Sequence, residues 1–402
     1  MKPVWASPGM NANQRYECLM AFPVWAFPAP YQGDEKKVVR ENMDSNLSTD
    51  DTGAASQGGQ PKLFVPFILI LLCAVAIGFG IKYYKSRPDT TTQGAWEVYF
   101  SEVNAAGSSY SLERRLVDKL GAATMRVDAA LYDLDAVPVA DAFIKAHNRG
   151  VAVRIFTEAD NINESEIERL QEVGIPVADD GDNDGLMHHK FIVIDERYVW
   201  TGSYNITHNG AYKNNNNVIL IDSVQLAYNF TQEFRELFLD AQLGKSSGAF
   251  IAYPRVELSD GTEIFTYFSP ESDTVSPLLK EIKAAENAIH FMAFSFTHDA
   301  IGGAMRDRFQ SGIEVRGVFE ARQVDQHSEF GKLAAAGLRV VKDGNSGTMH
   351  HKVIVVDEDT VITGSYNFSK NAEKRNSENL LIIKGNREIA AAYLAEFKKI
   401  TR

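Results

Sequence analysis

One phrase is written twice in this chain. His188-His189-Lys190 runs through an apolar stretch to Asp195 and is followed by Gly202-Ser203-Tyr204-Asn205; His350-His351-Lys352 runs to Asp357 and is followed by Gly364-Ser365-Tyr366-Asn367. Each residue recurs 162 positions later, and four of the nine histidines lie in the two phrases. The glycines Gly150 and Gly312, placed where helices should end, keep the same offset. A period this long means two like units, each with its own copy of any site residue.

The pattern between the copies predicts alternating strands and helices. Copy one reads as a strand over 96–101, a helix near 112–122, a strand over 126–132, a helix near 139–149 and a strand ending at Glu158. A helix near 164–172 then leads to the motif strand, and copy two repeats the order from 264 onward. Alternation of this kind argues an α/β layered body. The expected organisation is an N-terminal tail (1–62), an apolar span (63–81), a juxtamembrane linker (82–95) and two repeats, 96–245 and 246–402.

Strand geometry orders the motif. Residues two apart share a face, so His188 and Lys190 project together while His189 projects away, and His350 and Lys352 behave alike. His189 and His351 are therefore expected to pack rather than bind. A return strand over 198–201 can carry Asn205 back beside the His/Lys face. Two imidazoles, two ammonium groups and two carboxamides suit a phosphodiester. One imidazole can attack phosphorus and the other can protonate the leaving oxygen. Lysine and asparagine can meet the phosphoryl oxygens, so no metal or other cofactor is called for.

These residues, His-x-Lys-x4-Asp followed by Gly-Ser-x-Asn and present twice, resemble the phospholipase D superfamily over about residues 96–402. The resemblance implies a fold of two α/β/α sandwich halves related by a pseudo-two-fold axis. It also implies a phosphohistidine intermediate, with His188 as nucleophile and His350 as acid and base. Lys190, Lys352, Asn205 and Asn367 are expected to bind phosphate, and Ser203 and Ser365 to donate to phosphate or to the structure. Asp195 and Asp357 belong to the motif, expected as support for the histidines. Copy two adds Glu378-Asn379 beyond its motif, whereas copy one has Asn216-Asn217, so one carboxylate is missing.

The implied activity is cleavage or transfer of a phospholipid head group. The same residues serve endonucleases and cardiolipin-synthase-like transferases, and a non-catalytic membrane scaffold is the reading from another class. Charge bears on the choice. The chain holds 41 Lys and Arg against 53 Asp and Glu. Residues 1–91 are nearly balanced, so the excess lies in the body and disfavours a long polyanion as partner. Cys18 and Cys73 both precede the body, which excludes a disulfide frame or a zinc cluster there.

Leu63–Ile81 is an uncharged apolar run of a length that crosses a bilayer. Lys82, Lys85 and Arg87 follow it, which orients the body to the cytoplasmic side of what is expected to be a bacterial inner membrane, with an outside body as the alternative. The tail mixes tryptophan, phenylalanine and proline without period, and Met43 is a second candidate start. Asp180 to Gly185 imitates the start of a calcium loop, but its twelfth position is Phe191 rather than Glu. Glu158 and Glu320 end equivalent strands and could border the site. Tyr132, Phe294 and Phe296 read as strand core, and Asn214–Asn217 as a polar loop.

Overall fold

The computed structural model describes residues 94–402, apart from 104–107, 109 and 240–250. The N-terminal tail, the apolar run Leu63–Ile81 and most of the linker lie outside the described residues. Among the described residues no helix is long and apolar enough to cross a membrane.

The first half runs β1 (Trp96–Phe100), α1 (Leu112–Ala122), β2 (Arg126–Leu131), α2 (Val137–Asn148), β3 (Ala152–Thr157), α3 (Ser165–Glu172), β4 (Val177–Asp179), β5 (Lys190–Ile194), β6 (Tyr198–Gly202), α4 (His208–Tyr212), β7 (Asn217–Asp222) and α5 (Val224–Phe238). The second runs β8 (Val256–Glu257), β9 (Glu263–Ser269), α6 (Val275–Ala284), β10 (Ala288–Ala293), α7 (Asp299–Gln310), β11 (Glu314–Phe319), α8 (Glu329–Ala335), β12 (Arg339–Lys342), β13 (Lys352–Val356), β14 (Thr360–Gly364), α9 (Lys370–Lys374), β15 (Glu378–Lys384) and α10 (Arg387–Ile400). Each half builds one mixed sheet, ordered β1-β7-β6-β5-β2-β3-β4 and β12-β11-β10-β13-β14-β15-β9-β8. The two orders coincide when β1 is matched to β9, apart from the added edge strand β8.

Between the named strands, parallel pairing runs along β2-β3-β4 and β10-β11-β12, where helical crossovers supply the return path. The motif strands β5 and β13 pair antiparallel on both sides and sit near the middle of their sheets. Both of their faces are buried, which is why they read as unbroken apolar runs. Phe191 and Val193 join Val353 and Val355 in a core shared by both sheets with α5 and α10. Ile192 and Ile194 face α1 and α2 instead, and Ile354 and Val356 face the outer helices of the second half. The shared core presses the two motif strands toward each other, and that places the site.

Candidate active site

Each motif histidine is delivered by its neighbours' backbone. Glu158, just past β3, accepts the Met187 N–H at 2.7 Å, and Glu320, just past β11, accepts that of Met349 at 2.6 Å. The His188 N–H then donates to Ser377 O at 3.0 Å, and the His350 N–H to Asn215 O at 2.9 Å. Each motif strand thus enters its sheet stitched to the opposite half. Glu158 and Glu320 border the site as anchors of this approach.

The imidazoles are oriented across the same boundary. His188 Nδ1 lies 2.8 Å from Glu378 Oε2, on the second half. His350 Nδ1 lies 3.0 Å from Asn216 Oδ1 and 2.9 Å from Ser203 O, both on the first half. Both contacts on His350 are acceptors, so its Nδ1 carries the proton and Nε2 is left for chemistry. The Glu/Asn difference legible in sequence is therefore a difference in what stands directly behind each imidazole. Asn216 lies in the connection between α4 and β7 but is buried, its Oδ1 also receiving the Ser203 hydroxyl at 2.9 Å, and Asn217 opens β7.

Lys190 and Lys352 complete the cluster. Each Nζ donates to the backbone carbonyl of the histidine two residues before it, at 2.9 Å in both halves. Tyr132 and Phe294 flank them, with ring centroids 4.8 and 4.7 Å from the two Nζ atoms. The same rings stand edge-on to His188 and His350, at 5.0 and 4.7 Å. They wall the site, where the sequence pattern had suggested strand core. Phe296 does lie in the outer core of the second half.

Burial sets the electrostatics. Desolvation, then Lys190 and Lys352, hold His188 well below the ordinary imidazole range, and burial does the same to His350 with the lysines' help. Lys190 is brought down to about 7 by burial, against the pull of Glu378, and Lys352 also falls well below its usual value. Glu378 is pushed up to about 7 by burial, resisted by Lys190. Neutral imidazoles beside cations short of counter-charge form a site that gains from an arriving anion.

The motif aspartates do not join this cluster. They close the far ends of β5 and β13, roughly 16 Å along the strand from the lysines at ~3.3 Å per residue. Asp195 accepts the amides of Thr124, Met125 and Arg126 at 2.7 to 3.2 Å. Asp357 accepts those of Glu286, Asn287 and Ala288 at 2.7 to 3.0 Å. Against the upward push of burial, these amides keep Asp357 below the usual carboxylate value. Both aspartates adopt positive φ, 53° and 52°, to make the turn. The expected support for the histidines is thus replaced by a turn role, because a full strand length intervenes.

Ser203 and Ser365 act on the structure. Their hydroxyls receive the amide N–H groups of Asn217 at 3.1 Å and Asn379 at 3.0 Å. Asn205 and Asn367 follow the return strands, and each keeps a buried Oδ1 without a protein partner. Among the described residues no group of three or more His, Cys, Asp or Glu side chains is arranged to hold a metal.

Residues 116–238 and 278–401 each match the family model described as cardiolipin synthase, PLD-like domain. Together these stretches exceed half of the chain. The chain belongs to the phospholipase D superfamily. A phospholipase D of Rickettsia prowazekii is 30% identical over 172 residues, which are 42% of this chain and 81% of that protein. A mitochondrial cardiolipin hydrolase of Chlamydomonas reinhardtii is 34% identical over 126 residues, 31% of this chain, and the match spans about half of that protein, 56%. The crystal structure of phosphatidylserine synthase from Haemophilus influenzae Rd KW20 superposes with a TM-score of 0.57 at 13% identity, covering 76% of this chain and 86% of that one. At that identity the likeness is one of fold. It agrees with the two mixed sheets of this phospholipase D superfamily member.

Proposed function

We propose that this protein is a membrane-anchored phosphodiesterase that cleaves or transfers phospholipid head groups through a phosphohistidine. The observation that carries the reading is the pair of imidazoles, each held by its Nδ1 from the opposite half, beside two buried lysines. The names of the similar phospholipase D and cardiolipin hydrolase proteins support a lipid substrate. The acidic body supports it against a nucleic acid.

In this mechanism His188 Nε2 attacks phosphorus. The arriving phosphodiester anion favours uptake of a solvent proton at His350 Nε2; the N–P bond then forms, the P–O bond to the leaving alcohol breaks, and His350 passes that Nε2 proton to the departing oxygen. Positive charge growing on His188 is met at Nδ1 by Glu378, whereas His350 faces only neutral acceptors and gives up its proton more readily. That difference favours His188 as nucleophile and His350 as acid. Lys190 and Lys352 offset the phosphoryl charge, worth about 3 kcal/mol per well-placed donor. Water, deprotonated by His350, then attacks phosphorus and the N–P electrons return to His188. An alcohol in place of water gives transfer. The apolar run Leu63–Ile81 would keep the site at a bilayer, with the body on the cytoplasmic side.

The full chain, reconstituted in vesicles of phosphatidylcholine and phosphatidylglycerol with a cardiolipin arm, should release head-group alcohol and phosphatidate, and His188→Ala should abolish this. Cleavage of single-stranded DNA without lipid turnover would move the substrate to nucleic acid. Turnover of no phosphodiester would overturn the enzymatic reading. Labelled phosphate trapped on His350 instead of His188 would reverse the roles. Protease accessibility of the body in sealed vesicles from the expression host reports its side.

A further inference from the structure

The second histidine of each motif is not consumed by the reaction, yet one ring nitrogen of each lies against a buried side chain. His189 and His351 are both fully buried. His351 Nδ1 lies 2.9 Å from Asn217 Nδ2, so Nδ1 accepts and the ring proton sits on Nε2, aimed at Glu396 of α10 at 3.7 Å. His189 Nε2 lies 2.9 Å from Glu233 of α5, while its Nδ1 is buried without a hydrogen-bond partner. Asn217 Oδ1 in turn receives Thr363 Oγ1 at 3.0 Å and Tyr393 OH at 3.3 Å, and Asn379 Nδ2 donates to Thr201 Oγ1 at 2.8 Å. The two halves thus exchange matching contacts behind the reacting groups.

Adjacency gives these contacts their meaning. Asn216 and Asn217 are successive residues, so their side chains project to opposite sides, as do those of His350 and His351. Asn216 meets His350 on the site side while Asn217 meets His351 on the hidden side. On the other crossing, Glu378 meets His188 while Asn379 reaches Thr201 rather than His189. The crossing at His350 and His351 is therefore pinned twice, and a shift that opens the hidden contact opens the catalytic one with it.

We propose that His351, with Asn217, is a positioning residue: the pair pins the register at which Asn216 meets His350. This rests on the phosphohistidine reading for its effect on rate, though not for its effect on ring geometry. A purely structural role would cost stability alone, since buried polar groups left unpaired destabilise a fold whatever lies next to them.

Amide isosteres separate the two. An asparagine amide stands near the place of an imidazole Nδ1, and a glutamine amide near that of Nε2. His351→Asn keeps the contact with Asn217 and loses the one with Glu396, while His351→Gln does the reverse. With the full chain, His351→Asn should keep kcat close to the parent's, and His351→Gln should lower it by about 10- to 100-fold, the scale of a misplacement near 1 Å. Melting temperatures should fall comparably in both. Nitrogen-15 spectra of histidine-labelled protein give a readout without turnover: His350 should hold its Nδ1–H tautomer in the parent and in His351→Asn, and become mixed in His351→Gln. Equal losses of kcat that track stability, or an unchanged His350 tautomer in both variants, would overturn the proposal. A parent that turns over no phosphodiester but shows the tautomer pattern would sink the reaction scheme and leave the positioning role standing.

Discussion

Replacing Glu378 by glutamine removes a charge and almost nothing else. The carboxylate is fully buried and lies 2.8 Å from His188 Nδ1, and glutamine can still accept that proton through its own oxygen. What is lost is the charge-assisted part of a hydrogen bond, a type of bond worth about 1.5–3 kcal/mol. It is lost where positive charge develops as the N–P bond forms. At about 1.4 kcal/mol per tenfold, kcat at pH 8 should fall by roughly 10- to 150-fold. The pH profile sharpens the test. Burial brings both Lys190 and Glu378 to about 7, so the parent's activity should follow a bell in pH, with its alkaline limb set by loss of the ammonium proton and its acid limb by ionisation of the carboxylate. Glu378→Gln should lose the acid limb. Stability moves oppositely. A carboxyl group whose folded value is raised contributes stability below its unfolded value near 4.5, and this is lost as pH climbs to about 7. A shift of that size corresponds to about 3 kcal/mol. Glu378→Gln should therefore be more stable than the parent at pH 8, with the gap closing toward pH 5. Kinetics across pH 5–9 and denaturant unfolding at pH 5 and 8 read both effects. A variant with kcat within twofold of the parent's and an intact acid limb would refute the reasoning.

Four further outcomes are expected. Combining Glu378→Gln with Asn216→Glu moves the carboxylate behind His350, and labelled phosphate should then be trapped on His350. Lys190→Met or Lys352→Met should each lower kcat by about 100-fold or more while protein stability holds or rises, because a buried ammonium is removed; loss of stability with unchanged kcat would count against a phosphate role. Asp195→Ala should cost about 1–3 kcal/mol of stability by releasing three amides, with kcat per folded molecule unchanged. A Cβ on Gly202 or Gly364 would fall 2.2 Å from the carbonyl oxygens of Asn217 and Asn379. Alanine there should force apart the strands carrying Asn216 and Glu378 and reduce kcat together with melting temperature.

Much of this protein was legible as pattern. Helix α1 spans 112–122 as the periodicity implied, and most other helices and strands start and stop within about two residues of expectation, because apolar spacing and glycine stops act locally. Short helices α4 and α9 and strands β7 and β15 escaped the reading. β7 opens with Asn217 after a run of asparagines that looks like loop, and its strand character comes from pairing with β1 and β6. Tyr132 and Phe294 were misplaced for a related reason. They sit one residue past the ends of β2 and β10, where the chain leaves the sheet and the ring turns to the site.

The sequence by itself determined the duplication, the α/β character, the two His/Lys pairs and the unequal Glu378 and Asn216. All of these live in residue identity and spacing. Only the tertiary structure decided whom each group serves. Glu378 belongs to His188 and Asn216 to His350, each 190 or 134 positions away along the chain. The motif aspartates, close in sequence, went to the far ends of their strands. The reason is geometric: a strand carries its residues apart at a fixed rise, while a core shared by two sheets brings distant strands together. Proximity along the chain therefore misled for Asp195 and Asp357, and the crossing of the two halves supplied the partners.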